Sequence, residues 1–296
     1  MIRASVGAST HVGRIRDGNE DSYVVIDGLY FVADGMGGHS AGEVASAIAV
    51  GTLSDLHTSA PGGLVTEDQV ADAVSTANLA IFMEAIEDPS KAGMGTTLTG
   101  LVVTDPVAHK VVVANVGDSR TYLWRHGELR QVTKDHSHVQ SLVDRGAITR
   151  AEARVHFQRN IVLRAMGIES YVDVDTFPLD VEDGDRFIMC SDGLVDEAAD
   201  DEIELEIREA TDVQDLADRL VDLANRNGGR DNTTVVVVDF ETVDETTASP
   251  EGRDVVCTLP ATDVSRPSRW FAVGAWGMFA LSAAITIAVV VSASVS

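Results

Sequence analysis

Cysteine and basic residues are scarce in this chain of 296 residues. The two cysteines are Cys190, in an apolar run, and Cys257, in a polar one, which argues against a disulfide framework and favours a reducing compartment. Lys and Arg number 22 against 47 Asp and Glu, a formal net charge of -25. Because phosphate backbones require a basic surface, this balance argues against nucleic acid as a main partner.

Long apolar runs are also rare, and the first residues, MIRASVGAST, lack the apolar run of a signal peptide. Residues Phe271–Val291 are the exception, since they contain no charged side chain. A helix of this length spans about 32 Å, enough for the hydrocarbon core of a bilayer. The run predicts one transmembrane helix over residues 270–292; a buried helix of a soluble protein is the alternative. Arg266, Arg269 and Trp270 precede it, which predicts a single-pass cell-membrane protein with the preceding chain in the cytoplasm.

The remaining chain divides by composition into a globular domain, residues 1–240, and a flexible juxtamembrane linker, residues 241–269, rich in Thr, Asp, Ser and Pro. The domain contains short apolar and β-branched runs typical of strands: 23–26, 29–33, 97–103, 110–115, 121–124, 186–189 and 233–240. Turns such as Asp27-Gly28 favour antiparallel hairpins. Helical patterns lie near 41–57, 66–87, 138–145 and 213–227. We therefore expect an α+β domain with helices packed outside its sheets.

Acidic residues recur where predicted strands end. The motifs are Asn19-Glu20-Asp21, Asp34-Gly35, Gly117-Asp118-Ser119, Ser191-Asp192-Gly193 and Arg230-Asp231-Asn232. One Asp-Gly pair by itself indicates a turn. Carboxylates that converge at one end of a sheet repel each other unless they are protonated or bound to cations. Because all donors are oxygens, the pattern suits magnesium or manganese, and a glycine after Asp34 leaves the backbone carbonyl open to a metal.

These motifs carry a family resemblance. Their order from Gly7 to Phe240, including RDGNEDS, DGMGGHSAGEVAS, NVGDSR, SDGL and GRDNT, resembles the metal-dependent type 2C serine/threonine protein phosphatases, the PPM family, in its bacterial branch. The resemblance implies a four-layer α/β/β/α sandwich of two antiparallel sheets flanked by helices. It also implies hydrolysis of phosphoserine or phosphothreonine on proteins by water that two Mn²⁺ or Mg²⁺ ions activate. Phosphorylated proteins, including a serine/threonine kinase, are the implied partners.

The resemblance assigns a role to each candidate residue. Asp34 bridges both ions, and Asp192 and Asp231 hold the first. The carbonyl of Gly35 holds the second, where Glu20 acts through water. Arg16 binds the phosphate with its planar guanidinium. In bacterial members the residue that matches Asp118 binds a third ion; the alternative is that Asp118 only caps a turn.

Several features leave alternatives open. Met36 stands where eukaryotic members carry histidine, and it cannot donate a proton; for nearby His39 a structural role is predicted. Residues 134–167 resemble the flap of bacterial members, or a plain helix–loop insertion, and we expect structural or surface roles for its histidines. A catalytically inactive, membrane-tethered binding module is a second hypothesis, although its carboxylates are intact. A phosphatase of an anti-sigma-antagonist protein is a third.

Overall fold

Strands form two antiparallel sheets in the computed structural model, which describes residues 1–37, 41–60 and 64–243. In chain order the strands are β1 Ile2–His11, β2 Asp21–Ile26, β3 Leu29–Met36, β4 Gly95–Thr96, β5 Leu98–Asp105, β6 Lys110–Val116, β7 Arg120–Arg125, β8 Glu128–Gln131, β9 Asp175–Asp180, β10 Arg186–Cys190 and β11 Thr233–Thr242. One sheet has the order β1-β11-β10-β7-β8, and the other has the order β2-β3-β5-β6-β9, with β4 paired to β3. Every neighbouring pair is antiparallel.

Helices pack against both sheets and also lie in the segment between β8 and β9. They are α1 Ala41–Ser59, α2 Glu67–Glu87, α3 His138–Asp144, α4 Arg150–Arg154, α5 Asp192–Val195, α6 Asp200–Glu209 and α7 Val213–Asn227, with a short 3-10 helix at Pro89–Lys91. The start of α2 is fixed by a capping box, in which Thr66 and Gln69 each satisfy the backbone N–H of the other. Helices α1 and α2 pack on the β2–β9 sheet, and α6 and α7 pack on the β1–β8 sheet.

Strands β3 and β11 show why the central runs are continuously apolar. In β11, Val235 and Val237 face α7, whereas Val236 and Val238 face the other sheet. In β3, Phe31 lies in the core under α1 and α2, and its neighbours Tyr30 and Val32 lie between the sheets. Because alternate side chains point to opposite faces, a strand buried on both sides must be apolar throughout. The α+β prediction of two antiparallel sheets with helices outside is confirmed.

The β1–β11 pair aligns one end of the fold with the acidic motifs. All ten residues of β1 pair with β11, from Ile2 opposite Thr242 to His11 opposite Thr233. The His11 end leads into the loop that carries Arg16, while the Thr233 end follows Asp231 directly. At the opposite end the Val243 amide donates to the Met1 carbonyl at 2.9 Å.

Strand β1 was not predicted, because its sequence is made mostly of small and polar residues. Ile2 and Gly7 are its buried members, so its pattern carries little apolar signal, and its pairing with the distant β11 determines its conformation. The predicted transmembrane helix over 270–292, the linker over 241–269 beyond Val243, and His39 lie outside the described residues. Within the described ranges every helix is too short or too polar to cross a bilayer.

Candidate metal centre

Asp34 lies at the centre of a cluster of carboxyl groups. It sits near the end of β3 and is paired in register with Asp21, the first residue of β2. The carboxyls of Asp21 and Asp192 are each within hydrogen-bonding reach of the Asp34 carboxyl. Burial, and then the negative charges of Asp192 and Asp21, raise the pKa of Asp34 well above its ordinary value. The hairpin and the sheet packing therefore bring three acids from distant parts of the sequence together.

Glycine at position 35 allows the backbone around Asp34 to pack closely. A Cβ on Gly35 would overlap the Gly42 carbonyl of α1 and approach the Glu20 carbonyl to 2.5 Å. The Gly35 amide in turn donates to the Glu20 carbonyl at 3.2 Å. The sequence predicts that glycine at position 35 gives a metal access to the backbone carbonyl. The structure adds a second reason, because the backbone segments around Gly35, Gly42 and Glu20 meet at this point.

Asp192 begins α5, directly after β10 and Ser191. Burial and the charge of Asp118 raise the pKa of Asp192 well above its ordinary value. Its neighbour Gly193 has no room for a side chain, because a Cβ would overlap the Asn232 carbonyl. Neither Asp34-Gly35 nor Asp192-Gly193 forms a simple turn, since one lies in a strand and the other opens a helix.

Asp231 and Arg16 form an ion pair at the rim of the cluster. Arg16 donates from Nη2 to Asp231 Oδ2 at 2.7 Å, and the Arg16 side chain is 49% exposed. This hydrogen bond raises the pKa of Arg16 further. The predicted phosphate-binding residue is thus placed beside a predicted metal ligand, with its guanidinium open to solvent.

Asn232 holds the loop that carries Arg16 and Glu20. Its side chain accepts from the Glu20 amide at 2.8 Å and donates to the carbonyls of Val12 and Gly18, both at 2.9 Å. Asn232 belongs to the motif Arg230-Asp231-Asn232, but the sequence alone predicts no role for its side chain. Its partners are more than 200 residues away in the chain, so local pattern carried no signal for them.

Glu20 lies next to this loop and is partly buried. Burial raises its pKa, and the charge of Arg16 lowers it. The Gly42 amide donates to the Glu20 side chain and also favours the charged form. The carboxylate is therefore held from α1, and its action on an ion through water stays a prediction.

Asp118 enters the cluster from the turn between β6 and β7. Burial, followed by the charge of Asp135, raises its pKa to about 7, while Arg120 lowers it. Asp118 and Asp192 line one cavity of about 230 Å³ together with Asp196 and with Arg154 and Arg159 of residues 134–167, a segment that we name the flap for its resemblance and not for any observed motion. The structure therefore places Asp118 on the flap side of the cluster.

Asp21 was missed as a site residue, although it is almost fully buried. Burial raises its pKa to about 6, against hydrogen bonds from Thr234 and Ser191. Ser191 donates to Asp21 Oδ2 at 2.8 Å, and no hydrogen-bond partner within the described residues reaches Asp21 Oδ1. The register of β2 against β3 is the signal that could have found it, because it places Asp21 opposite Asp34.

The cluster fits divalent cations by its donor chemistry. Its donors are oxygens, its like charges raise one another's pKa values, and a buried carboxylate oxygen of Asp21 lacks a partner in the described chain. Cations relieve this kind of repulsion. Within the described ranges, however, no three His, Cys, Asp or Glu side chains lie close enough together to form a preassembled metal-ion site.

Comparisons with known proteins identify the family to which the chain is similar. The family model described as protein phosphatase 2C matches residues 18–234. The serine/threonine protein phosphatase PstP of Mycobacterium tuberculosis is 42% identical over 263 residues, which cover 86% of this chain and 50% of that protein. This chain therefore matches half the length of that relative.

One further relative and the catalytic domain of PstP are covered almost completely. The serine/threonine phosphatase stp of Listeria monocytogenes is 39% identical over 238 residues, which cover 78% of this chain and 93% of that protein. The crystal structure of the catalytic domain of PstP in complex with two manganese ions aligns with a TM-score of 0.75 at 38% identity, over 82% of this chain and 100% of that chain.

Proposed function

The chain belongs to the protein phosphatase 2C family, and we propose that it hydrolyses phosphoserine and phosphothreonine on proteins in a reaction that depends on manganese or magnesium. The observation that carries this proposal is that the carboxyls of Asp21 and Asp192 lie within hydrogen-bonding reach of the Asp34 carboxyl, beside a solvent-open arginine. Such a cluster concentrates negative charge where a phosphate must bind, which is workable only with cations present.

We assign a role in binding the two metal ions to each residue of the site. Asp34, between the two sheets, would bridge two ions, and Asp192 and Asp231 would hold the first of them. The Gly35 carbonyl would hold the second, and Glu20 would orient water there. When bound, the ions lower the pKa of water and neutralise phosphoryl charge.

Arg16 would clamp two phosphoryl oxygens. Its guanidinium is half exposed and uses Nη2 on Asp231, so donors remain for a bidentate contact with phosphate. The same arginine would then link the substrate to a metal ligand, which aligns the phosphoryl group with the centre. No covalent attachment to the chain is needed for this hydrolysis.

A metal-dependent assay separates the three hypotheses. The full chain, stripped with EDTA and titrated with manganese, should release phosphate from a phosphothreonine peptide. Asp34→Asn should abolish most of this rate, whereas Asp27→Asn, in the turn at the other end of the same hairpin, should not. An inactive binding module would retain the phosphopeptide without releasing phosphate. A phosphatase of an anti-sigma-antagonist protein would act on that phosphorylated regulator and leave a phosphorylated kinase intact.

We further propose that residues 270–292 anchor the protein in the cell membrane with the catalytic domain in the cytoplasm, and that a serine/threonine kinase is among its substrates. The support for the anchor is the uncharged run preceded by Arg266, Arg269 and Trp270; the support for the kinase is the family resemblance. Cell fractionation of the full chain should place it with membranes, and truncation after Val243 should release it. A reporter fused after Ser296 that behaves as cytoplasmic would contradict the orientation.

A further inference from the structure

One histidine at the entry to the flap is bonded to the turn that carries Asp118. The His136 amide donates to the Gly117 carbonyl at 2.9 Å. The Gly117 amide donates to Nδ1 of the His136 ring at 3.0 Å. His136 therefore satisfies both backbone polar groups of the residue that precedes Asp118.

The other ring nitrogen faces an ion pair. His136 Nε2 lies 3.1 Å from Asp175 Oδ2 and 3.0 Å from Arg164 Nη1, and Arg164 Nη1 donates to Asp175 Oδ1 at 2.5 Å. Because a backbone N–H can only donate, Nδ1 must be the acceptor, so the ring proton lies on Nε2 and goes to Asp175. Arg164 Nη1 donates to Asp175 and to the Asp173 carbonyl, so its approach to Nε2 is not a hydrogen bond. The Gly117 and Asp175 contacts therefore select the neutral tautomer with its proton on Nε2.

The turn itself is held from its other side by Thr97. Gly117 has a φ of 107°, and a Cβ there would come within 2.6 Å of the Thr97 side chain. Thr97 Oγ1 accepts from the Asp34 amide at 3.1 Å and lies 2.6 Å from Ser119 Oγ. The Gly117–Ser119 turn is therefore fixed between the strand that carries Asp34 and the ring of His136.

Both ends of the flap meet at the same histidine. The Leu163 amide, near the flap exit, donates to the His136 carbonyl at 2.7 Å. Ser137 and Val162 form an isolated antiparallel bridge beside it. A displacement of His136 would therefore move the flap entry, the flap exit and the Asp118 turn together.

We propose that His136 is a positioning residue for the flap side of the centre. Its neutral ring, with the proton on Nε2, accepts from the Gly117 N–H and holds the turn that precedes Asp118 against residues 134–167, and so sets where the Asp118 carboxylate lies relative to Asp192. The effect of His136 on ion binding by Asp118 rests on the proposed function. The hydrogen bonds between His136 and the turn do not depend on that function.

Two substitutions separate the two ring contacts. In His136→Asn the side-chain Oδ1 takes the place of Nδ1, so the acceptor for Gly117 is kept and the contact with Asp175 is lost. In His136→Gln the side-chain amide takes the place of Nε2, so the contact with Asp175 is kept and the acceptor for Gly117 is lost. His138→Gln is the matched control, two residues away in α3.

Hydrogen exchange in metal-free protein gives a readout that needs no activity. The Gly117 amide should exchange about fivefold faster in His136→Gln than in wild type, as loss of one hydrogen bond of about 1 kcal/mol implies. His136→Asn should restore most of the protection, and His138→Gln should match wild type. In manganese titrations of the full chain, His136→Gln should need several-fold more metal for its half-maximal rate, and His136→Asn should lie closer to wild type.

Equal exchange rates at Gly117 in both variants would overturn the inference. If the variants do not fold, nitrogen-15 spectra of the wild-type imidazole decide it, since a proton on Nδ1 at neutral pH is incompatible with the Gly117 contact. A wild-type chain without phosphatase activity would refute the proposed function alone. Normal activity with unchanged manganese dependence in His136→Gln would refute the positioning role alone.

Discussion

Two neighbouring groups of buried polar side chains meet at Asp118 but handle charge in opposite ways. In the carboxylate cluster, burial and like charges raise the pKa values of Asp21, Asp34, Asp118 and Asp192. At the flap base the charges are matched: Arg120 binds Asp135 through Nε and Nη2, and Arg164 binds Asp175 beside His136. The flap base is satisfied by the chain, whereas the cluster requires charge from outside. This difference separates groups that build the fold from groups that we propose to bind ions.

The largest expected effect follows from removing one charge at the centre of the cluster. Asp34→Asn should lower kcat/KM about 10³-fold, because a neutral amide cannot bridge two cations and several kcal/mol of charge stabilisation is lost. Without metal the same variant should melt at the wild-type temperature or above it, since like-charge repulsion is relieved. Initial rates with manganese and melting curves in EDTA measure both. A rate within tenfold of wild type would remove the two-ion mechanism.

Breaking the matched group should cost stability instead. Arg120→Met leaves the buried Asp135 carboxylate unpaired and should lower the free energy of unfolding by about 3 kcal/mol. The double variant Arg120→Met/Asp135→Leu should recover much of this loss. Lys110→Met, which removes the exposed pair with Asp180, should change it by less than about 1 kcal/mol. Urea unfolding compares the three, and equal effects of Arg120→Met and Lys110→Met would erase the distinction.

Asp118 lies where the two groups meet, and its substitution shows whether it binds an ion or only stabilises the turn. If it binds a third ion, Asp118→Asn should lower kcat about tenfold and flatten the dependence of rate on high manganese concentrations, because that ion has few protein ligands. If it only caps the turn, the variant should lose thermal stability and keep its kcat. Rate against manganese, measured beside a melting curve for wild type and variant, distinguishes the two.

The smallest expected effect is the pH dependence of the stability that His136 contributes at the base of the flap. Burial and the charge of Arg164 lower the pKa of His136, while Asp175 and Asp135 raise it. As the pH falls, His136 therefore takes up a proton in the unfolded chain before it does so in the folded one. The contribution of neutral His136 to the free energy of unfolding is complete above about pH 6.5 and is lost as the pH falls below that value. The raised carboxyl pKa values act with the opposite sign. The difference in melting temperature between wild type and His136→Asn, without metal, should therefore shrink from pH 7.5 to 5.5; a constant difference would contradict this.

Much of the fold could be predicted because its signals are local. The valine run of β11 and the apolar stripe of α7 each indicate their own element. Strand β1 and the short helix α5 could not be found this way. Most of β1 is small or polar and is fixed by its pairing with β11, and α5 is one turn long and starts at a motif residue.

The candidate site shows the same limit. The motif residues Asp34, Asp192 and Asp118 contribute to one cluster, as the resemblance implied, and Arg16 lies beside Asp231. The residues that hold these in place were missed, because their contacts join segments far apart in the chain. Asn232 with Gly18 and Thr97 with Ser119 are two such contacts.

The long β1–β11 pair has a consequence for how the domain can be combined with others. Met1 and Val243 are hydrogen-bonded neighbours, and ten strand residues at about 3.3 Å each separate them by about 30 Å from the end that bears Arg16 and Asp231. A host protein could therefore accept the domain as an insertion at a single loop, with the Arg16–Asp231 end on the far side. The same neighbourhood permits circular permutation: a short linker from Val243 to Met1, with new ends opened at the His126-Gly127 turn, should leave the catalytic end unchanged.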